Sequence, residues 1–371
     1  MSRVRQQQRG VIARGHVRRY VNAVPWFPAL AVAVAVGAAL LAGCGGGSSG
    51  PDTIAFTSTR DGNAEVYLIQ SDGTGLENLT SNLANDGQPT WSPDGKQIAF
   101  VSLRDGNGEL YVIGADGTGV KRLTRTPRVN ETAPAWSPDG SRIAAECTRA
   151  RPVPVTQICM VNATGGSVRD LTGPGQDDNL YPVWSPDSSE VLYSSPRAST
   201  SHRYEIYAVP SQGGKERSVA LDRGGTGEPA FSPDGSQLAF IGRSSFGSHW
   251  RLYVMPSDGT AKREVLTPRG RIDAPAWSPD GKHIAFMRQP PSGASRADVY
   301  VATQYGADLT PLTRGPGSSI TPVWSPDGKS IAFTRLSGKR ADVYVVSANG
   351  KGETRLTFGT GQNGGPVWRP G

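Results

Sequence analysis

The sequence of 371 residues predicts an all-β, seven-bladed β-propeller, and three observations support this prediction. An aromatic-Ser-Pro-Asp-Gly motif recurs every 44–48 residues. Each unit between two motifs contains four short apolar runs separated by Asp/Gly-type turns. The two ends of the repeat region are complementary, because the first unit lacks the motif and the last motif lacks the strand that should follow it. A period of about 40–50 residues with four strands per repeat is typical of propeller blades.

The first residue of the motif is an aromatic anchor, most often tryptophan. Ser-Pro-Asp and a glycine follow the first six anchors, except that Ser188 replaces the glycine in the third. Because the residue recurs in every unit, we interpret it as a packing residue between neighbouring blades and not as a ligand-stacking group. The anchors are Trp91, Trp136, Trp184, Phe231, Trp277, Trp324 and Trp368.

Each motif leads through a tight turn into a strand of the Ile-Ala-Phe type. In the turn, proline presets φ, aspartate bonds its own backbone and glycine takes the strained position. The strands begin at residues 54, 98, 143, 191, 238, 284 and 331, and most units end in Leu-Thr. Seven strands and seven anchors predict seven blades, and we expect the C-terminal strand to complete the first blade. Such closure removes exposed strand edges. We also expect the innermost strands to begin at the proline before each anchor.

The N-terminal segment has the order of a secretory signal. A basic stretch precedes the apolar residues 29–41, and Leu41-Ala42-Gly43-Cys44 follows. These four residues resemble the lipobox of bacterial lipoprotein signal peptides, which implies that Cys44 is lipidated and becomes the new N-terminus. We therefore divide the chain into a signal peptide (1–43), a lipidated cysteine with a Gly/Ser tether (44–51) and a propeller (52–371). The alternative is an uncleaved transmembrane anchor, for which the apolar run is short.

The positive charge of the chain belongs mainly to its signal segment. The formal net charge is +7, but residues 1–43 contain six arginines and no acidic residue, so 33 basic and 32 acidic residues remain. A near-neutral domain gives no electrostatic reason to expect a nucleic-acid partner. The three cysteines and four histidines have no metal-ligand spacing. We expect no metal and no cofactor.

The repeats resemble the TolB-like, WD40-like (PD40) β-propeller family. The resemblance covers residues 52–371 and rests on Pro-x-Trp-Ser-Pro-Asp-Gly, Ile-Ala-Phe, Leu-Thr and the truncated last anchor. It implies an exported binding protein, and TolB itself binds the peptidoglycan-associated lipoprotein. The chain departs from TolB in two ways: a lipobox and tether replace the α/β domain, and seven blades are counted where TolB has six. A six-bladed ring is therefore the alternative.

The segments just upstream of the anchors are where the repeats differ, and they should surround the mouth of the channel. They contain five carboxylates, which we expect to form a polar throat that binds a cation, a basic peptide or a sugar. The alternative is that these side chains only cap backbone N–H groups. The candidates are Asp86, Gln88, Glu131, Asp178, Asn179, Tyr181, Glu228, Asp273, Thr321 and Asn363.

Cys147 and Cys159 lie near the facing ends of two strands of one unit. In an exported protein they are expected to form a disulfide, with a free buried pair as the alternative.

No catalytic motif is present in the chain, so we expect a membrane-anchored, monomeric binding module for an envelope protein, peptide or glycan. The alternative is a propeller lyase or hydrolase acting on a polysaccharide, with Tyr181, His202 and His249 beside the throat carboxylates as acid/base groups. A scaffold with an unused channel is the third interpretation.

Overall fold

The computed structural model describes nine parts of the chain: residues 52–149, 154–173, 175, 177–196, 204–220, 226–243, 250–266, 270–291 and 296–371. The predicted signal peptide (1–43), Cys44 and the tether, as well as His202 and His249, lie outside the described residues. Within these parts of the chain, no helix is long and apolar enough to cross a membrane.

The described residues form 28 β-strands. In chain order they are β1 (Thr53–Ser58), β2 (Glu65–Gln70), β3 (Glu77–Asn78), β4 (Asp86–Trp91), β5 (Gln97–Ser102), β6 (Glu109–Gly114), β7 (Lys121–Arg122), β8 (Val129–Trp136), β9 (Arg142–Arg149), β10 (Val155–Asn162), β11 (Arg169–Asp170), β12 (Leu180–Trp184), β13 (Glu190–Ser195), β14 (Glu205–Pro210), β15 (Arg217–Ala220), β16 (Thr226–Phe231), β17 (Gln237–Arg243), β18 (Trp250–Pro256), β19 (Arg263–Leu266), β20 (Arg271–Trp277), β21 (His283–Gln289), β22 (Asp298–Thr303), β23 (Thr310–Pro311), β24 (Ser318–Trp324), β25 (Ser330–Ser337), β26 (Arg340–Ser347), β27 (Thr354–Arg355) and β28 (Asn363–Trp368).

These strands form seven antiparallel sheets of four strands, which are the blades of a propeller. Blade 1 has the order β28-β1-β2-β3, and blades 2 to 7 use consecutive strands from β4-β5-β6-β7 to β24-β25-β26-β27. The innermost strand of each blade packs against the innermost strand of the next blade, around the whole ring. The prediction of seven blades is thus confirmed, and the six-bladed alternative is wrong.

The C-terminal strand closes the ring as predicted. Ile54 pairs with Trp368 and Ala55 with Val367 in an antiparallel register. The backbone N–H of Arg369 then donates to the carbonyl of Thr53 at 2.8 Å. Strands from the two ends of the chain therefore share one blade, which leaves no unpaired inner edge.

The anchor tryptophans join neighbouring blades. Five of them donate the indole N–H to a backbone carbonyl of the preceding blade. The accepting residue always directly precedes the anchor of its own blade. Trp184, for example, donates to the carbonyl of Ala135 at 2.9 Å. Trp136 instead donates to Gly140 in its own turn, and Phe231 has no N–H to donate. Each anchor also packs on apolar side chains of two blades, as Trp91 does between Ala55 and Phe100.

The innermost strands do not begin at proline, so that prediction is wrong. Each begins upstream of its proline, and the register shifts by a β-bulge at the proline and the residue before it in all seven blades. The missing N–H of proline is tolerated there because a bulge leaves its residues outside the ladder.

Candidate binding site in the central channel

The residue before each of the seven prolines has a left-handed backbone. Its φ lies between 51° and 64° at Gln88, Ala133, Tyr181, Glu228, Ala274, Thr321 and Gly365. Only one of these is glycine, although a non-glycine residue in this region costs about 1–2 kcal/mol. Non-glycine residues held in this region often mark functional sites.

At five of the seven bulges, the N–H of the bulge residue is capped by a side chain of the preceding blade. In three blades the cap is the residue that follows the Ile-Ala-Phe triplet. Thr57 Oγ1 accepts from Gln88 N at 3.1 Å, Glu146 Oε1 from Tyr181 N at 2.9 Å and Thr334 Oγ1 from Gly365 N at 3.1 Å. These caps explain part of the polar character of the channel mouth.

Three blades have an apolar residue at that capping position, namely Val101, Ile241 and Met287, and in the first two of them another side chain supplies the cap. Val101 and Ile241 have no acceptor atom. In these blades the bulge residue itself reaches forward: Gln88 Oε1 accepts from Ala133 N at 2.6 Å, and Glu228 Oε2 accepts from Ala274 N at 2.5 Å. One side-chain oxygen of Gln88 and one of Glu228 therefore cap a backbone N–H of the next blade.

A second group of predicted residues is buried at the junctions between blades. The Asp86 carboxylate is fully buried and pairs with Arg104 at 2.7 Å. Asp178 Oδ1 accepts from the backbone N–H of Thr156 at 2.9 Å. Asn179 Nδ2 donates to Gln157 at 2.7 Å, and the Asn363 amide joins Ser58 to Asp342. Asn179 and Asn363 thus hold neighbouring blades together, whereas Asp86 and Arg104 belong to the same blade.

Glu131 belongs to the same junction group. It is fully buried and accepts from Thr124 Oγ1 at 3.1 Å and Thr126 Oγ1 at 2.5 Å. Burial, and then the charge of Glu109, raise the pKa of Glu131 to about 7. Thr124 is the threonine of a Leu-Thr pair, and the threonines of five such pairs accept a backbone N–H from their own blade.

A third group forms one electrostatically coupled cluster, which we call the acidic sector: Glu146, Tyr181, Glu228 and Asp273. Glu146 bonds the backbone of Tyr181, and Glu228 bonds Ala274, the neighbour of Asp273. The charges of Glu228, Glu146 and Asp273 all act on the Tyr181 hydroxyl, and its pKa is raised mainly by burial. Tyr181 and Glu228 remain partly exposed, so the acidic sector contacts solvent in the channel.

Burial shifts the carboxyl groups of the acidic sector toward their neutral forms. It raises the pKa of Glu146 to about 7, and burial together with the charge of Glu228 raises the pKa of Asp273 to about 8. The pKa of Glu228 is raised by burial as well. Arg271 Nε lies 2.6 Å from Asp273 Oδ2 and counteracts these shifts. Glu146 and Asp273 therefore change charge near neutral pH.

Of the five carboxylates that were expected to converge, the structure brings together two, Glu228 and Asp273. The structure places the ten candidates in three settings. Five lie at junctions between blades: Asp86, Glu131, Asp178, Asn179 and Asn363. Four are bulge residues, namely Gln88, Tyr181, Glu228 and Thr321, and Asp273 directly precedes a bulge. Strand alternation separates the settings, because adjacent residues of a strand point to opposite faces.

Sequence reasoning missed Glu146, because only the segments before the anchors were searched. Glu146 could be recognised from the sequence, because it is the only acidic residue at the position after the triplet. The other blades have threonine, serine or an apolar side chain there.

Cys147 and Cys159 lie in the middle of β9 and β10, and not near the strand ends as expected. Their sulfur atoms are bonded and their Cα atoms are 5.8 Å apart. Both are buried in the core between blades 2 and 3. Among the residues that the structure describes, no group of three or more His, Cys, Asp or Glu side chains is arranged to hold a metal ion.

Seven four-stranded blades closed by the C-terminal strand define the protein as a β-propeller with a polar channel. The sequence pattern of the TolB β-propeller domain (PD40) matches residues 45–132, 126–249 and 242–371. The chain belongs to the TolB β-propeller family, which confirms the resemblance.

Individual proteins with a similar sequence or structure share either a short segment or a low sequence identity with this chain. The Tol-Pal system protein TolB of Geobacter sulfurreducens is 43% identical over 53 residues, which are 14% of this chain and 12% of that protein. The structure of TolB from Acinetobacter baumannii has a TM-score of 0.55 and 17% identity, over 86% of this chain and 67% of that one. Oligogalacturonate lyase from Vibrio parahaemolyticus has a TM-score of 0.66 and 15% identity, over 80% and 86%. At these identities, the two structures show a shared fold.

Proposed function

We propose that the protein is an exported, lipid-anchored β-propeller that docks an envelope protein, peptide or glycan at its channel mouth. The observation that carries this proposal is the acidic sector. It is the one place in the described channel where side chains that differ between blades form a coupled, solvent-contacting group. Membership of the TolB family and the lipobox-like residues before Cys44 support an envelope location.

The proposed docking face can be tested by site-specific photo-cross-linking. A photoreactive residue at Phe358, exposed in the loop that enters β28, reports on the channel mouth. The matched control is Tyr305, which is as exposed but lies in the β22–β23 turn at the opposite end of the blades. We expect partner adducts from position 358 and none from 305, identified by mass spectrometry. Equal labelling at both positions would contradict docking at the mouth.

Lipid anchoring has a separate test. The Cys44→Ser variant should no longer incorporate a fatty-acid label and should leave the detergent phase in a phase-partition assay. Retention of both properties would mean that another segment anchors the chain.

A second candidate is a propeller lyase or hydrolase, and Tyr181 is the observation in its favour. The hydroxyl of Tyr181 lies among carboxyl groups that titrate near neutral pH, which suits acid/base chemistry. Incubation with neutral and uronic-acid oligosaccharides, followed by product analysis, tests this function. Turnover that is lost in Tyr181→Phe would favour the enzyme over the binding protein.

A further inference from the structure

We propose that the acidic sector binds the cationic end group of a ligand, a guanidinium or a primary ammonium, inside the channel. This inference rests on the proposed binding function, because it names the chemical class of ligand that the channel takes. Two independent features support it: an excess of buried carboxyl groups over cations, and a buried hydroxyl with no partner.

The first feature is charge. The acidic sector contains three carboxyl groups, and Arg271 is the one guanidinium recorded as acting on Glu228 and Asp273. No cation among the described residues is recorded as acting on Glu146. Buried carboxylates are costly unless a positive charge or hydrogen bonds compensate them. A second cation in the channel would therefore interact favourably with all three groups.

The second feature is Ser194, the residue of blade 4 at the capping position. Its counterparts Thr57, Glu146 and Thr334 each accept the bulge N–H of the next blade, but the buried Oγ of Ser194 has no hydrogen-bond partner. Ser194 faces blade 5 beside Glu228: a Cβ added at Gly227 would lie 3.7 Å from its Oγ.

The hydrogen-bond acceptors of the acidic sector and Ser194 favour a ligand group that donates hydrogen bonds and accepts none. The carboxylates of Glu146 and Glu228 and the hydroxyl oxygen of Ser194 present acceptor atoms. The guanidinium of Arg271 is already paired with Asp273. Ammonium and guanidinium groups have several N–H donors and no acceptor. Sugar hydroxyls need donors in return for their own oxygen atoms, so a neutral glycan satisfies this set less completely.

The test uses three small probes of similar shape: butylguanidinium, butylammonium and neutral butylurea. They are titrated into the full-length protein by calorimetry at about pH 9, above the pKa of about 8 for Asp273. We expect one-to-one binding of the two cations and no binding of butylurea. Glu228→Gln should weaken cation binding at least about tenfold, since a charge-assisted contact contributes about 1.5–3 kcal/mol, and Ser194→Ala should weaken it about threefold.

The matched control is Glu131→Gln, which neutralises a buried carboxyl outside the acidic sector and should leave cation binding unchanged. If Glu228→Gln does not fold, as judged by circular dichroism, Asp273→Asn replaces it. Binding of butylurea as tight as that of the cations, or equal losses in Glu228→Gln and Glu131→Gln, would overturn the inference. Absence of cation binding would overturn it too, and adducts at Phe358 would then still support docking at the mouth.

Discussion

Gln88 Oε1 accepts the backbone N–H of Ala133 at 2.6 Å across the junction between blades 2 and 3. The contact exists because Val101, at the capping position of blade 2, has no acceptor. In blade 1 the same position is Thr57, which caps Gln88 itself. At five of the seven bulges, a hydrogen bond to the bulge N–H is thus supplied by one of two positions, as expected for a buried backbone donor.

This hydrogen bond predicts that one substitution lowers the stability of the protein and that a second substitution restores it. Gln88→Ala should lower the free energy of unfolding by about 1–3 kcal/mol, because it leaves the Ala133 N–H without its acceptor. Adding Val101→Thr should restore much of that loss, since it recreates the arrangement of Thr57. Urea denaturation of the two single variants and the double variant measures the coupling. Additive effects in the double variant would show that the two positions do not exchange this role.

The bulge backbone itself predicts a stabilising substitution. Ala133 has a φ of 51°, so Ala133→Gly should relieve about 1–2 kcal/mol of steric cost and lose about 0.5–1 kcal/mol to the greater freedom of the unfolded chain. We expect a net gain of up to about 1 kcal/mol in thermal or urea unfolding. Ala135→Gly, in the same strand without a positive φ, is the control and should destabilise. A loss of stability in both variants would argue against strain at Ala133.

The anchors predict unequal effects for the same substitution. Trp184→Phe removes the indole N–H that bonds Ala135 O and leaves a buried carbonyl unpaired, which should cost about 1–3 kcal/mol. Trp136→Phe should cost less, because Trp136 is partly exposed and bonds Gly140 within its own turn. Chemical denaturation of both variants measures the difference. An equal or larger effect at Trp136 would contradict a contribution of the inter-blade hydrogen bond to stability.

The repeat pattern was sufficient to predict the fold because period, turn chemistry and complementary ends all point to one closed ring. The candidate site was harder to predict. Asp86 and Glu228 both precede an anchor by a few residues, yet Asp86 is buried at a junction and Glu228 lies in the channel. Their different surroundings follow from strand alternation and from a β-bulge, and the position of that bulge is fixed only when the strands pair. Glu146 comes from a different strand, so its approach to Tyr181 is a tertiary relationship.

Glu131 predicts a decrease in stability as the pH rises. Its pKa is raised from 4.5 to about 7 in the folded protein, so folding favours the protonated form. The stabilising contribution is complete below about pH 4.5 and is lost as the pH rises through about 7. Between about pH 5 and about pH 8, the free energy of unfolding of the unsubstituted protein should fall by up to about 3 kcal/mol relative to that of Glu131→Gln.

Glu109, a neighbour of Glu131, provides a control of opposite sign. Hydrogen bonds from Thr124, Thr126 and Arg122 outweigh the desolvation of Glu109, which would otherwise raise its pKa, and hold that pKa below its ordinary value. Its contribution is therefore present above that value and is lost as the pH falls. Urea unfolding of Glu109→Gln and Glu131→Gln from about pH 3 to about pH 8 should thus give differences from the unsubstituted protein that change in opposite directions, below about pH 5 for Glu109→Gln and above about pH 5 for Glu131→Gln. Changes in the same direction would mean that the two carboxyl groups share one titration and do not have separate environments.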